Sequence, residues 1–210
     1  MDNTAAWLNK EPQSPTAEGF KALRTNLVFA AEEQDCRMIL LVSPQEDRSA
    51  ARFAANLGAT MAFDSRKVLL VDGDLRTGAL TSLLTQGKQS AGLSQWIASQ
   101  KSLEEVTVPS GVSNMSLLPS GALCADPAAL FSEKGAADAL RSLRAQFDYI
   151  IVYAPNAEDY TDAVVLSRLV DGAVVLFAAE KTKLSAAQKC TAALEAVKAP
   201  ILGAVLNYFR

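Results

Sequence analysis

The sequence predicts an α/β protein built as a doubly wound, mostly parallel sheet with helices on both faces. Three observations carry that reading. Met38–Val42, Lys67–Val71, Tyr149–Tyr153 and Gly172–Phe177 are continuously apolar rather than alternating, as strands covered on both faces are. Helical stretches separate them, so the two element types alternate along the chain. The chain has 210 residues, 50% of them apolar, which suffices for one sizeable domain and is too little for two.

Residues 1–16 are polar, contain Pro12 and Pro15, and read as a flexible arm. Residues 17–210 read as the single domain. Ala17 to about Glu33 is an amphipathic helix with Phe20, Leu23, Leu27 and Ala31 on one face, and Thr16 is placed to cap it. Strand Met38–Val42 leads into a helix from about Ser49 to Met61. Strand Lys67–Val71 ends in Asp72-Gly73-Asp74. Helical stretches follow at Thr81–Leu84, Leu93–Ser99 and Leu103–Val106, then a short strand at Met115–Pro119. Asp126-Pro127 opens a helix, and Lys134–Gln146 makes another. Strand Tyr149–Tyr153, helix Thr161–Leu169, strand Gly172–Phe177, helix Ser185–Lys198 and strand Ile201–Leu206 complete the order. Ligands of such sheets bind at the carboxyl ends of the strands.

Composition excludes several functions. The formal net charge is −3, with lysine and arginine scattered, so no basic face for nucleic acid is expected. Histidine is absent, which removes Ser-His-Asp and Cys-His nucleophiles and most zinc sites. Cys36, Cys124 and Cys190 are odd in number and far apart, as in a cytoplasmic protein with free thiols. No signal peptide is expected, and no apolar stretch approaches the roughly 20 residues of a membrane span.

The loop between the first strand and its helix holds the main functional signal. A nucleotide-binding chain of this layout places G-x-x-x-x-G-K-[ST] there, with glycines for close backbone approach, lysine for the β- and γ-phosphates and a hydroxyl for Mg²⁺. Here the segment reads Ser43-Pro44-Gln45-Glu46-Asp47-Arg48-Ser49-Ala50-Ala51. It has no glycine, no lysine and no terminal hydroxyl. Glu46 and Asp47 put carboxylates near the positive end of a helix, where phosphates would otherwise sit.

Several stretches together resemble the cytoplasmic domain of bacterial tyrosine kinases that govern capsule and exopolysaccharide synthesis, within the P-loop group that includes MinD and ParA. They are Ser14–Leu27, Val71-Asp72-Gly73-Asp74-Leu75-Arg76, Leu118-Pro119-Ser120-Gly121 with Asp126-Pro127-Ala128, Thr161-Asp162-Ala163 and Gly203–Asn207. The resemblance covers nearly the whole chain and implies a P-loop NTPase-like fold. It implies that Glu18, Lys21 and Arg24 correspond to a charged set bridging neighbouring subunits in a ring. The same spacing on a helix also gives an ordinary solvated face. It implies that Asp72 and Asp74 correspond to aspartates that help hold magnesium and assist the attacking hydroxyl. Carboxylates after a strand also commonly cap the next turn or helix, and pairing with Arg48 or Arg76 is a further role for them.

The departures from that family set the functional reading. In its register, Asp47 and Ser49 stand for glycines, Ala50 for the phosphate-binding lysine and Ala51 for the magnesium-binding hydroxyl. Tyr153 stands for the second acidic residue, and Glu158 and Asp159 lie further into the loop. The chain stops at Tyr208-Phe209-Arg210, without a tyrosine cluster. The resulting expectation is a catalytically inactive pseudokinase without ATP or magnesium. It would act in exopolysaccharide biosynthesis and export through an inner-membrane, Wzz-like polysaccharide co-polymerase, as a homo-oligomer or beside an active kinase. It would be cytoplasmic, without membrane insertion or nucleic acid. The alternative is a divergent active kinase or ATPase that uses Asp72 and Asp74 with ATP and Mg²⁺. A MinD/ParA-like positioning protein ranks behind both.

Overall fold

The computed structural model describes residues 13–47, 49–86 and 91–208. Helix α1 (Pro15–Gln34) begins within the stretch read as an arm; residues 1–12 of that arm lie outside the described residues. Its cap is Ser14 rather than Thr16, with the Ser14 side chain accepting from the Ala17 amide at 3.2 Å. Pro15 occupies the first turn, where a missing N–H goes unnoticed.

The chain then runs through β1 (Met38–Val42), α2 (Ala50–Met61), β2 (Val68–Asp72), α3 (Ala79–Thr85), α4 (Leu93–Ile97), α5 (Leu103–Val106), β3 (Val108–Pro109) and β4 (Met115–Leu118). It continues through α6 (Pro127–Ser132), α7 (Lys134–Ser142), β5 (Tyr149–Tyr153), α8 (Asp162–Ser167), β6 (Gly172–Ala178), α9 (Leu184–Ala196) and β7 (Ile201–Asn207). The helix expected over Lys134–Gln146 tightens into a 3₁₀ turn at Leu143–Ala145.

Among the described residues, seven strands form one sheet in the order β3-β4-β2-β5-β1-β6-β7. All pairs are parallel except β3 with β4, a two-residue antiparallel edge that the sequence reading did not include. Strands β1, β2 and β5 are buried at every position, as their continuous apolarity requires. Alternate residues feed two cores. Ile39, Leu41, Leu70 and Ile151 pack under α1 and α2; Met38, Leu40, Val71 and Val152 pack with α6, α7 and α9 on the other face. Close sheet–helix contact is helped by Gly58 of α2, where an added Cβ would lie 2.9 Å from the Met115 sulfur. The arrangement aligns the ends of β1, β2 and β5, with Tyr153 paired to Leu41 on one side and Asp72 on the other.

Candidate functional site

The loop leaving β1 is stapled to its neighbours. The Ser43 and Pro44 carbonyls accept from the Ala157 and Glu158 amides, each at 3.0 Å. Gln45 donates through Nε2 to Glu158 Oε2 at 2.9 Å and accepts through Oε1 from the Lys183 amide at 2.9 Å. The loop then folds around Asp47. Its Oδ1 accepts from the Ser49 amide at 2.9 Å and the Ser49 hydroxyl at 2.7 Å, and its carbonyl accepts from the Ala50 amide at 3.0 Å. Asn207, at the end of β7, donates to Ser49 Oγ at 2.9 Å. The Ser49 amide, just before α2, is thus taken by the Asp47 carboxylate, and the first helical amide, that of Ala50, by the Asp47 carbonyl, which puts a carboxylate beside the positive end of the helix. Ala50 and Ala51 are both buried in the core against α2's neighbours and offer only methyl groups. Arg48, the remaining member of the degenerate loop, lies outside the described residues.

The turn leaving β2 is organised differently. Gly73 lies so close to β5 that an added Cβ would meet the Tyr153 carbonyl at 2.7 Å. This proximity lets the Gly73 amide donate to the same carbonyl at 2.8 Å. Asp72 is fully buried and its Oδ2 accepts from the Thr81 amide at 2.7 Å and the Thr81 hydroxyl at 2.6 Å. Its Oδ1 accepts from the Asp74 amide at 3.2 Å. Burial pushes the Asp72 carboxyl up to about 7, against the Thr81 hydrogen bonds and with a smaller push from Asp74. Asp74 accepts from the amides of Arg76 at 3.1 Å and Thr77 at 3.0 Å, and from the Thr77 hydroxyl. Both aspartates therefore pin the turn and the start of α3.

Arg76 is not their side-chain partner. Its guanidinium forks onto the fully buried Asp162 of α8, Nε to Oδ2 at 2.6 Å and Nη2 to Oδ1 at 3.1 Å, and lies 4.5 Å from the Tyr160 ring centroid. Asp162 belongs to the Thr161-Asp162-Ala163 stretch, but its role is not visible in the sequence: 86 residues separate the partners and no local pattern links them.

A cleft of about 320 Å³ opens between these loops, and Ser43, Ala50, Thr77, Tyr153 and Tyr160 contribute to its wall. Its carboxylates are Glu46, Asp47, Asp74 and Asp159, and none of its described lining residues is lysine or arginine. Tyr153 registers that field. Burial raises its phenol well above the usual tyrosine range, and Asp74, Asp72, Asp47 and Glu46 raise it further. The structure thus brings together Asp47, Ser49, Ala50, Asp74 and Tyr153, with Asp72 buried beneath. Glu18, Lys21 and Arg24 lie apart, on α1. Lys21 pairs with Glu18 at 2.7 Å on the exposed face, while Arg24 reaches the Thr60 carbonyl of α2 at 3.4 Å, so the set is divided between surface and helix–helix contact.

A family model described as "AAA domain" matches residues 50–200, well over half of the chain. The chain belongs to that AAA domain family. The matched span starts at Ala50, within the last two positions of the degenerate loop. Over 94% of its length this AAA domain protein is 29% identical to the tyrosine-protein kinase YwqD of Bacillus subtilis (strain 168), covering 83% of it. It resembles the solved kinase domain of Escherichia coli tyrosine kinase ETK with a TM-score of 0.89 and 26% identity, covering 97% of this chain and 79% of that one. MinD from Pyrococcus horikoshii OT3, solved with Mg-ADP, matches with a TM-score of 0.69 and 25% identity, covering 82% and 70% of the two chains. The P-loop NTPase-like frame and the kinship with bacterial tyrosine-protein kinases are therefore as the sequence resemblance implied.

Proposed function

We propose that this protein is a non-catalytic relative of the bacterial tyrosine autokinases, a pseudokinase that regulates or scaffolds exopolysaccharide or capsule synthesis and export by protein contact. The observation that carries this is the cleft at the ends of β1, β2 and β5. Its described lining holds four carboxylates and no cation, and Asp47 takes the Ser49 amide on its carboxylate and the Ala50 amide on its carbonyl. A nucleotide's phosphates would meet like charge there at close range in a partly desolvated site. No hydroxyl follows at Ala51 to ligate Mg²⁺, and Tyr153 replaces a carboxylate. With nucleotide turnover absent, the output rests on surfaces. One is the groove of about 410 Å³ between α1 and the edge strand β7, lined by Pro15, Phe20, Leu23, Phe53 and Leu206. The partner this reading requires is the cytoplasmic part of a Wzz-like inner-membrane co-polymerase, with a second copy of the chain or an active kinase beside it.

Autophosphorylation and ATP-hydrolysis assays on the purified protein test the reading. Rates at background, unchanged in Asp72→Ala and Asp74→Ala, together with rescue of polymer production in a deletion strain by Asp72→Ala, are expected. Turnover that disappears in Asp72→Ala contradicts the reading and restores the divergent kinase.

A further inference from the structure

The cleft does more than lack phosphate chemistry, because its polar groups are left asking for donors. Ser43 is only 5% exposed, lines the cleft, and its hydroxyl has no hydrogen-bond partner among the described residues. Asp47 uses Oδ1 on Ser49, while its Oδ2 is buried and has no partner among the described residues. Leaving a buried acceptor unpartnered is costly, and for a carboxylate oxygen the cost is larger. Glu46, Asp74 and Asp159 add negative charge around the same space. A ligand that relieves this arrangement must be cationic and must carry several donors. A bare divalent ion fits poorly, because no three acidic or thiol groups among the described residues are placed to hold one. A guanidinium fits well: it is always charged, planar, and offers five N–H donors.

We propose that the former nucleotide cleft receives an arginine side chain from a partner protein, its guanidinium pairing with the exposed carboxylates of Glu46 and Asp159 within the field of Asp47 and Asp74. This rests on the pseudokinase reading and names the chemistry of its partner. Membrane proteins concentrate arginine and lysine on the cytoplasmic side of their spanning helices, so a co-polymerase would present such a group to this cleft. The cleft would then be converted from a nucleotide site into a docking socket, with charge complementarity setting both encounter rate and register.

The test is calorimetric titration of the full chain, at low salt, with capped hexa-arginine, with hexa-citrulline as its neutral isostere, and separately with Mg·ATP. Two double variants of equal charge change are compared: Glu46→Gln with Asp159→Asn at the cleft, and Glu32→Gln with Glu33→Gln on α1. The Glu46 and Asp159 side chains are at the cleft mouth, so these isosteric changes leave the core intact. Expected are saturable binding of hexa-arginine, none of hexa-citrulline, and affinity weakened about tenfold in the cleft variant but not in the α1 variant. Equal weakening in both variants, or no binding, overturns the proposal. No binding of either arginine or Mg·ATP overturns it while leaving the pseudokinase reading intact. Micromolar Mg·ATP binding overturns that reading itself.

Discussion

The loop after β1 and the turn after β2 lie at the same, carboxyl end of the sheet, on either side of β5, and aspartates organise both. After β1, Asp47 is half-buried, accepts from the amide and hydroxyl two residues on, and keeps one buried oxygen without a hydrogen-bond partner among the described residues. After β2, Asp72 and Asp74 are buried and tied to Thr81, Arg76 and Thr77, with Arg76 locked onto Asp162 behind them. The same residue type thus fills an anion's place in one turn and holds the frame in the other. The contrast teaches that an aspartate at a strand's carboxyl end is explained by its hydrogen bonds before it is explained by catalysis.

The sharpest way to break that comparison is at Arg76. Arg76→Ala leaves Asp162 buried without its guanidinium, and we expect a loss of about 3 kcal/mol in urea unfolding. A loss within about 0.5 kcal/mol would show that the turn after β2 carries little structure. Next comes the pH dependence of Asp72. Its carboxyl is raised in the folded state from an ordinary 3.8 to about 7, so the folded chain holds a proton that the unfolded chain has released. The stability this provides is fully present below about pH 4 and is lost as pH rises through about 7, on the order of 4 kcal/mol. Urea unfolding across that range, against Asp72→Ala as the variant without the slope, checks the sign.

The frame was legible in the sequence because β1, β2 and β5 are continuously apolar, and because the loop after β1 shows its missing glycines and lysine in plain order. Three things were not legible. The antiparallel edge Val108–Pro109 is two residues long and ends in proline, below any periodic signal. The choice of Ser14 over Thr16 as cap turns on one dihedral pair, since both residues are suitable cap types. The Arg76–Asp162 fork is made by tertiary proximity alone. The charge at the mouth was visible in Glu46 and Asp47, but Asp159 joins it only when the loop after β5 folds back to Ser43 and Pro44.

Smaller effects sharpen the other half of the comparison. Asp47→Ala removes the acceptor for Ser49 and should cost about 1 kcal/mol in thermal or urea unfolding, the size of a lost helix cap. Glu18→Ala breaks only an exposed pair with Lys21, and no more than about 0.5 kcal/mol of stability is expected from it. A larger effect of Glu18→Ala on sedimentation than on unfolding would assign that residue to subunit contact.

The central claim is that the cleft at the ends of β1, β2 and β5 is closed to nucleotide by its own carboxylates. Calorimetric titration with Mg·ATP and Mg·ADP tests it most directly, on the native chain and on a chain carrying Asp47→Gly, Ser49→Gly, Ala50→Lys and Ala51→Ser. The account predicts no binding up to millimolar nucleotide in the native chain and measurable affinity in the substituted one. Micromolar binding by the native chain, abolished in Asp72→Ala or Asp74→Ala, would contradict it.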